Sequence, residues 1–546
     1  MIARRRIRIV VLIAWALATV ACTRTGEGTQ SGGRHPWTQP GTLRIATSLS
    51  PNTLNPILST QQIEAFVDAL MMDPLVATDE KGRDVPVLAA AVPTLENGGI
   101  SRDGLTITYR LRHNVRWQDG APFTSRDVAF TYRAIMNPAT AVGTRHGYDE
   151  IARVETPDAY TAVFRLKRPF APAVNTVFAD SDAPYEILPA HLLERYRDLN
   201  HVPFNEKPVG TGPFKVVRWS RGDRIDFVAN DDYFLGRPKL RRIELHLVPD
   251  ENTIVSQLRA HEVDWFTFAS PRAYPQLTAI PGVGVRLVPM NAFDAIMFNT
   301  THAPLDDPNV RRAIGYAIDK RLLVKQATFG TTIPATEDLP PSIWAFDPSA
   351  GTSGHHAAAS NRLLDAAGWR RGADGIRTKQ GRRFTIGLAF RSDSITDRNR
   401  SVLIASMLRE AGIETELKGY TTSLLYAPPG SGILADGKYD AGLQTWYAGS
   451  DPDDSTQLTC DQVAPKGFNW ARYCNAAMDA AQHTALSHYD RPTRKRAYAT
   501  IEKLLARDAP FVFLWWPRQI EAANTDLKGF RPNGMVQTWN AYEWSI

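Results

Sequence analysis

This chain of 546 residues has few cysteines and, beyond its first two dozen residues, no long apolar run. The missing apolar runs exclude a protein built on several membrane-spanning helices. With 43% hydrophobic and 22% charged residues and a mean hydropathy of -0.28, the composition is that of a soluble globular protein. The length is too great for one hydrophobic core and predicts more than one domain.

The folded part of the chain also lacks a charge excess of either sign. The formal net charge is +6, but Arg4, Arg5, Arg6 and Arg8 stand together at the amino terminus with no acidic residue near them. Removal of residues 1–21 would lower the net charge to +2. No basic run with interleaved aromatic residues remains, so nucleic acid is not an expected partner.

Motifs for metal binding and catalysis are missing as well. His261-Glu262 lacks the second histidine of a metalloprotease helix, and no G-x-S-x-G elbow occurs. Gly432 to Tyr439 has the spacing of a phosphate-binding loop, but Tyr439 stands where Ser or Thr must meet Mg²⁺. We therefore expect no metal, no cofactor and no enzyme; an exported hydrolase is kept as the alternative of another class.

The amino terminus has the features of an export signal. Four arginines precede an apolar run from Ile9 to Ala21 that is too short to span a bilayer stably, which predicts a signal peptide over residues 1–21. The run ends Thr-Val-Ala before Cys22, which resembles the lipobox of bacterial lipoproteins, although an incidental cysteine is the alternative. We expect Cys22 to be lipidated and residues 22–36 to be a flexible tether.

The two remaining cysteines, Cys460 and Cys474, lie close together in sequence. Because the protein is expected to be exported, we predict a disulfide between them, closing an irregular loop that contains Pro465 and Gly467. Zinc is the competing interpretation, but two thiols without a nearby His or Cys pair make a poor zinc site.

Periodicity predicts mixed α/β structure along the chain. Thr106 to Leu111 alternates polar and apolar residues as a strand does, and Thr124 with Asp127 predicts the capped start of a helix. Strands are predicted at Phe214 to Trp219, Arg224 to Val228 and Ile243 to Val248. Helices are predicted to start at Asp250 and Asp307, to run through Leu403–Leu408, and to follow Pro492.

Several segments resemble one family throughout the chain. PVGTGPF, NDDYFLGRPKL and RWQDGAPFTSRDVAFTYRAI are similar to segments of the family 5 extracellular solute-binding proteins, the oligopeptide-, dipeptide- and nickel-type binding components of ABC importers. LDDPNVRRAIGYAIDKRLLV, LREAGIETEL and YDAGLQTW continue the match in the family's order. The resemblance covers nearly the whole mature chain.

The resemblance implies an α/β, bilobal type II periplasmic-binding-protein fold with an extra domain inserted in the first lobe. The implied division is residues 37–74, 208–290 and 511–546 for the first lobe, 75–207 for the extra domain, and 291–510 for the second lobe. It also implies a monomer at the outer face of the cytoplasmic membrane or in the periplasm. Lobe closure would capture peptides for delivery to the permease subunits of an ABC transporter.

The resemblance also indicates a ligand site. Trp446 and Tyr447 follow the apolar strand Ala441 to Leu443, at a strand end where ligands of open α/β sheets bind. In peptide-binding relatives an aspartate after the matching tryptophan pairs with the ligand's amino terminus, but Gly449 stands there in this chain. Either Asp451 replaces it, or the ligand is another polar solute such as an oligosaccharide or a metal chelate.

Overall fold

The computed structural model describes residues 33–181, 184–351 and 354–546. The described residues belong to two compact units, which divide between Thr38 and Gln39. In the described part of the first unit, the His35 imidazole stacks on the Trp37 indole with ring centroids 4.3 Å apart. The predicted signal peptide and Cys22 lie outside the described residues. Within the described ranges, no helix is both long and apolar enough to cross a bilayer.

The second unit contains a seven-stranded mixed sheet, here called the first sheet. Thr42–Thr47 lies inside it and runs parallel to both of its neighbours, whereas the remaining pairs are antiparallel. In sheet order the described strands are Val283–Pro289, Arg518–Asn524, Trp265–Ala269, Thr42–Thr47, Arg242–Leu247, Arg224–Ala229 and Phe214–Ser220.

A six-stranded mixed sheet, the second sheet, is built mostly from the later part of the chain. Thr385–Arg391 runs parallel to Glu414–Tyr420 and Ala441–Tyr447, as expected where helices connect successive strands. In sheet order the described strands are Ile333–Pro334, Phe511–Trp516, Ala292–Phe298, Ala441–Tyr447, Thr385–Arg391 and Glu414–Tyr420.

The chain crosses between the two sheets at Met290 and again at Pro517, where the Met290 amide donates to the Pro517 carbonyl over 3.2 Å. The assignment of Phe511 onward to the first lobe is wrong for Phe511–Trp516, which pairs with Ala292–Phe298 in the second sheet. Every residue of this FVFLWW strand is buried, since its side chains enter two separate cores on the two faces of that sheet. The return to the first sheet begins at Arg518.

Residues 75–207, here called the inserted segment, form smaller sheets. In sequence they lie between Thr42–Thr47 and Phe214–Ser220, two strands of the first sheet. A hairpin of Val76–Thr78 and Asp84–Pro86 precedes a three-stranded antiparallel sheet in the order Thr106–Arg110, Thr161–Leu166, Ile151–Asp158. Ile107 and Phe164 share one hydrophobic core with Ile45 and Trp265 of the first sheet. The inserted segment therefore shares one hydrophobic core with the first sheet but forms sheets of its own.

Helices cover the faces of both large sheets. Ile254 and Leu258 pack with Phe266 and Ile520 on one face of the first sheet. The described α-helices are Gln62–Met71, Ser125–Met136, Ala173–Thr176, Ala190–Leu193, Glu251–Arg259, Tyr274–Leu277, Pro308–Ala317, Lys320–Ala327, Ala357–Ala366, Ile395–Glu410, Thr422–Leu425, Ser455–Leu458, Ala476–Ser487 and Arg491–Asp508. A short sheet of Arg370–Arg371, Arg377–Lys379 and Arg382–Arg383 accompanies them.

Three predicted helix starts are confirmed. Asp127 accepts the Thr124 amide over 2.8 Å and completes a capping box at the start of Ser125–Met136. Asp250 and Asp307 each accept a backbone amide from the first turn that follows them. These local signals need no distant partner, because the unpaired amides that they satisfy lie within a few residues.

Candidate ligand-binding cleft

Two adjoining cavities lie between the inserted segment and residues 426–470, and together they form what we call the cleft. The inner cavity has room for about one water molecule, about 20 Å³, so its walls nearly touch. The outer cavity has a volume of about 450 Å³, and both are bounded by His146 and Thr456. The inner cavity is lined by His146, Asn175, Thr176, Ser181, Trp446, Tyr447, Ala448, Gly449, Asp451, Asp453 and Thr456.

All four predicted ligand residues, Trp446, Tyr447, Gly449 and Asp451, line this inner cavity. The strand predicted to end at Leu443 continues to Tyr447, so Trp446 and Tyr447 are its last two residues. Tyr447 and Trp446 pair with Ala292 and Phe293 of the neighbouring strand Ala292–Phe298, and this pairing extends the strand to Tyr447. The aromatic pair is thereby fixed by sheet hydrogen bonds and not by a flexible loop.

Aromatic rings form one wall of the cleft. The Trp446 ring lies 5.5 Å from Phe468, which lies 5.6 Å from Trp470, and Tyr426 contacts Trp470 at 5.7 Å. Tyr447 remains 48% exposed, yet desolvation of its hydroxyl raises the pKa of Tyr447 to about 12. Rings packed in this way present a rigid apolar surface that suits the side chains of a peptide or the face of a sugar.

Asn291, at the crossing between the two sheets, holds the loop that follows the aromatic pair. Its carbonyl accepts the Ala448 amide over 2.7 Å, and its Nδ2 donates to the Gly449 carbonyl over 3.1 Å. Its Oδ1 accepts the Ser342 hydroxyl over 3.1 Å. A displacement of the chain at this crossing would therefore move the Ala448–Gly449 backbone directly.

Asp451 lines the cavity but is not available to a ligand's ammonium group. Arg494 Nη1 donates to Asp451 Oδ2 over 2.8 Å, and Arg494 Nη2 donates to Asp451 Oδ1 over 2.5 Å. Both side chains are buried. The hypothesis that Asp451 replaces the aspartate missing at Gly449 is therefore corrected, because a two-point ion pair already neutralises this carboxylate.

Asp453 is the carboxylate that faces across the inner cavity. It is buried, and its Oδ1 accepts the Ser455 amide over 3.0 Å. Its Oδ2 lies 3.3 Å from Nε2 of His146 in the inserted segment. Burial raises the pKa of Asp453, but the His146 imidazole and the hydrogen bonds from Ser455 together outweigh burial and hold that pKa below its usual value. An ionised carboxylate thus lies where the second-sheet strand end and loop approach the inserted segment.

Beneath the loop lie four buried acids, Glu337, Asp338, Asp454 and Glu502, here called the acid cluster. Burial, reinforced by Asp338, raises the pKa of Glu337 to about 8. Burial and Asp338 also raise the pKa values of Asp454 and Glu502 well above their usual range. Gln482 Nε2 donates to Asp454 Oδ1 over 2.5 Å. The raised pKa values favour protonated carboxyl groups in the acid cluster.

The disulfide predicted between Cys460 and Cys474 is present, with an S–S distance of 2.15 Å. It closes the segment that contributes Lys466, Gly467, Phe468 and Trp470 to the outer cavity. Asn469 fixes the same segment from within, because its Nδ2 donates to the Thr459 and Tyr473 carbonyls over 2.9 Å and 2.7 Å. The aromatic wall is thus attached to a covalently closed loop.

Sequence reasoning missed the wall opposite the aromatic rings. His146, Asn175, Thr176 and Ser181 come from the inserted segment, far from Trp446 in sequence and without a motif of their own. Asp453 was also missed, although it is only two residues from Asp451. In the described part of the chain, no group of three or more His, Cys, Asp or Glu side chains is placed to hold a metal ion.

Comparison with known proteins identifies the family. Residues 83–465 match the model for bacterial extracellular solute-binding proteins, family 5 Middle. The chain belongs to this family. Protein XP55 of Streptomyces lividans is 30% identical over 92% of this chain and 88% of its own length. The oligopeptide-binding protein AppA of Bacillus subtilis is 27% identical over 98% of this chain and 97% of its own length.

Solved structures of family 5 proteins agree with the fold. AppA from Bacillus subtilis, in complex with a nonapeptide, superposes with a TM-score of 0.76 at 25% identity, covering 93% of this chain and 99% of AppA. NikZ from Campylobacter jejuni, in complex with Ni(L-His), superposes with a TM-score of 0.77 at 26% identity, covering 93% of this chain and all of NikZ. The fold is that of a type II periplasmic binding protein, and this family 5 protein is a solute-binding component of an ABC importer.

Proposed function

We propose that this family 5 protein captures peptides in the cleft and delivers them to the permease subunits of its ABC importer. The observation that carries the proposal is Asp453, an ionised and buried carboxylate at the inner cavity beside the aromatic wall. The amino terminus of a peptide would enter between Asp453 and His146, and its side chains would lie along Tyr426, Phe468 and Trp470. The peptide-bound relative AppA supports this ligand class.

Affinity would come from lobe closure. The first lobe would comprise residues 39–74, 208–290 and 518–546 with residues 75–207 inserted, and the second lobe residues 291–516. Contacts to Asp453 and to His146 lie on opposite sides of the cleft, so a ligand reaches both only when the lobes are together. The binding energy would favour that arrangement, and no covalent chemistry is required.

The test is calorimetric titration of a synthetic nonapeptide with a free amino terminus and of the same peptide with an acetylated amino terminus. The free peptide should bind wild-type protein, and Asp453→Asn should weaken that binding by about 2 to 5 kcal/mol, the range for removing one member of a buried charge pair. Asp461→Asn, at an exposed aspartate outside the cleft, is the matched control.

Three results would contradict the peptide proposal. Equal affinity for the free and acetylated peptides would remove the role of Asp453. Binding of a neutral oligosaccharide or of a nickel–histidine chelate, with no binding of either peptide, would assign the cleft to another solute. Turnover of peptide or glycoside substrates by the purified protein would favour the exported hydrolase.

We also propose that Cys22 is lipidated and tethers a monomer to the outer face of the cytoplasmic membrane. The support is the sequence Thr-Val-Ala-Cys after a short apolar run. Wild-type protein should sediment with membranes, whereas Cys22→Ala should appear in the soluble fraction or keep its signal peptide. Unchanged membrane association of Cys22→Ala would contradict the anchor, and light scattering of detergent-free protein would test the monomer.

A further inference from the structure

Tyr489, from the later part of the chain, contacts the inserted segment at a place outside the cleft. It lies in the turn between the helices Ala476–Ser487 and Arg491–Asp508. Its hydroxyl is 2.9 Å from the Gly104 carbonyl and 3.2 Å from the Phe170 carbonyl, so it donates to one of the two at a time. The Phe170 amide donates to the same hydroxyl over 3.4 Å.

Backbone and apolar contacts surround this hydroxyl. The Ala171 amide donates to the Leu486 carbonyl over 2.7 Å, which joins the two sides by a main-chain hydrogen bond. Leu486 and Tyr489 also pack against the hydrophobic core that the inserted segment shares with the first sheet. A β-carbon on Gly104 would lie only 2.6 Å from Cε2 of the Tyr489 ring, so the ring fits because this position is glycine.

This contact is separate from the ligand site but mechanically connected to it. None of Gly104, Phe170, Ala171, Leu486 and Tyr489 lines either cavity of the cleft. The Phe170 ring, however, meets the His146 imidazole edge-on, with centroids 6.1 Å apart. Since His146 faces Asp453 across the inner cavity, the position of Phe170 bears on the wall that the ligand meets.

We propose that Tyr489 is a latch that holds the inserted segment against the second lobe without any ligand. The proposal rests on lobe closure as the working motion of the protein. Opening of the lobes would break the Tyr489 contacts and the Ala171–Leu486 hydrogen bond together. The latch would therefore set the fraction of ligand-free molecules that are closed, and the apparent affinity would follow that fraction whichever solute binds.

The experiment is hydrogen exchange of the Ala171 amide in the full chain after bound solute has been stripped by partial denaturation and dialysis. This amide bonds to Leu486, so a change at Tyr489 alters its exchange only through opening of the contact. In wild-type protein the Ala171 amide should be protected. In Tyr489→Phe it should exchange about 2- to 12-fold faster, the range for loss of one net hydrogen bond.

Tyr132→Phe is the matched control, because the Tyr132 hydroxyl donates to the Ile151 carbonyl over 2.9 Å within the inserted segment. It should leave the Ala171 amide at its wild-type rate. The amides of Thr161–Leu166 should be unchanged in Tyr489→Phe; an equal acceleration there would mean general destabilisation and no latch. Equal protection of Ala171 in wild type and Tyr489→Phe, or no protection in wild type, would also overturn the proposal. No ligand is added, so failure of the peptide proposal would not change the result.

Discussion

Arg494 holds Asp451 by both carboxylate oxygens, two residues after Gly449 in the chain. The Arg494 Nε also donates to the Ala485 carbonyl over 2.9 Å, and its guanidinium lies 5.2 Å from the centre of the Trp344 ring. The pair connects the ligand loop to the helix Arg491–Asp508. Asp451 therefore supports the shape of the cleft.

The first prediction follows from this pairing. Asp451→Asn should lower the free energy of unfolding by about 3 to 5 kcal/mol, because it leaves the buried Arg494 guanidinium without its counter-charge. Urea unfolding at pH 7 measures the loss. The double variant Asp451→Leu with Arg494→Met should recover much of it. Unchanged stability together with weakened ligand binding would restore Asp451 as the ligand's partner.

The second prediction concerns the aromatic wall. Trp446→Ala should weaken binding of the co-purified solute by about 2 kcal/mol or more, since buried aromatic side chains at the centre of a site carry much of its binding energy. Calorimetry with the solute identified by mass spectrometry measures the change. Trp219→Ala, in the first sheet and outside the cleft, should bind normally. Equal affinities of the two variants would remove Trp446 from the site.

The third prediction concerns the Cys460–Cys474 disulfide. Replacing both cysteines by serine should lower the free energy of unfolding by about 3 kcal/mol, because the bridge restricts the unfolded chain over a sequence separation of 14 residues. Urea unfolding measures the loss, and wild-type protein unfolded with a reductant should match the serine variant. Two reactive thiols in unreduced wild-type protein would contradict the bridge.

The fourth prediction concerns the acid cluster and pH. Folding raises the pKa of Glu337 from 4.5 to about 8 and also raises that of Glu502, so the folded protein holds protons that the unfolded chain releases. The stability contributed by these protons should be complete below pH 4.5 and should be lost as the pH rises through about 8. The loss should be on the order of a few kcal/mol.

Glu502→Gln should weaken this pH dependence, because an amide needs no proton and can donate to the neighbouring carboxylates. Urea unfolding of both proteins between pH 5 and pH 9 makes the comparison. Glu262→Gln, at an exposed glutamate, is the control and should follow wild type. Parallel stability curves for wild type and Glu502→Gln would show that the acid cluster does not hold the extra protons.

Much of the local structure could be predicted because its causes are local. Thr124 and Asp127 satisfy amides within one helical turn, so their pattern alone predicts where the helix begins. The family resemblance implied that residues 511–546 belong to the first lobe, whereas Phe511–Trp516 pairs with Ala292–Phe298 in the second sheet. Its true partner, Ala292–Phe298, lies more than two hundred residues earlier and left no signal near Phe511.

The ligand site could be predicted only in part for the same reason. Trp446 and Tyr447 line the inner cavity, and their place at the end of an apolar strand and in a family segment predicts them as ligand residues. Asp453 and Asp451 differ in their tertiary contacts. His146 lies 3.3 Å from Asp453, whereas Arg494 forms an ion pair with Asp451. Two carboxylates two residues apart look alike in sequence, and only their tertiary surroundings distinguish one held by an arginine from one that faces the opposite wall of the cleft.

The sequence by itself determined the α/β class, the family, the helix starts at Thr124, Asp250 and Asp307, and the pairing of Cys460 with Cys474. Each depends on periodicity, on a motif or on neighbours close in the chain. The tertiary structure alone decided which carboxylate faces the cleft, where Tyr489 meets Gly104, and how four acids share one buried space. Those features join residues distant in sequence, and their energies depend on distance and burial, which exist only once the chain has folded.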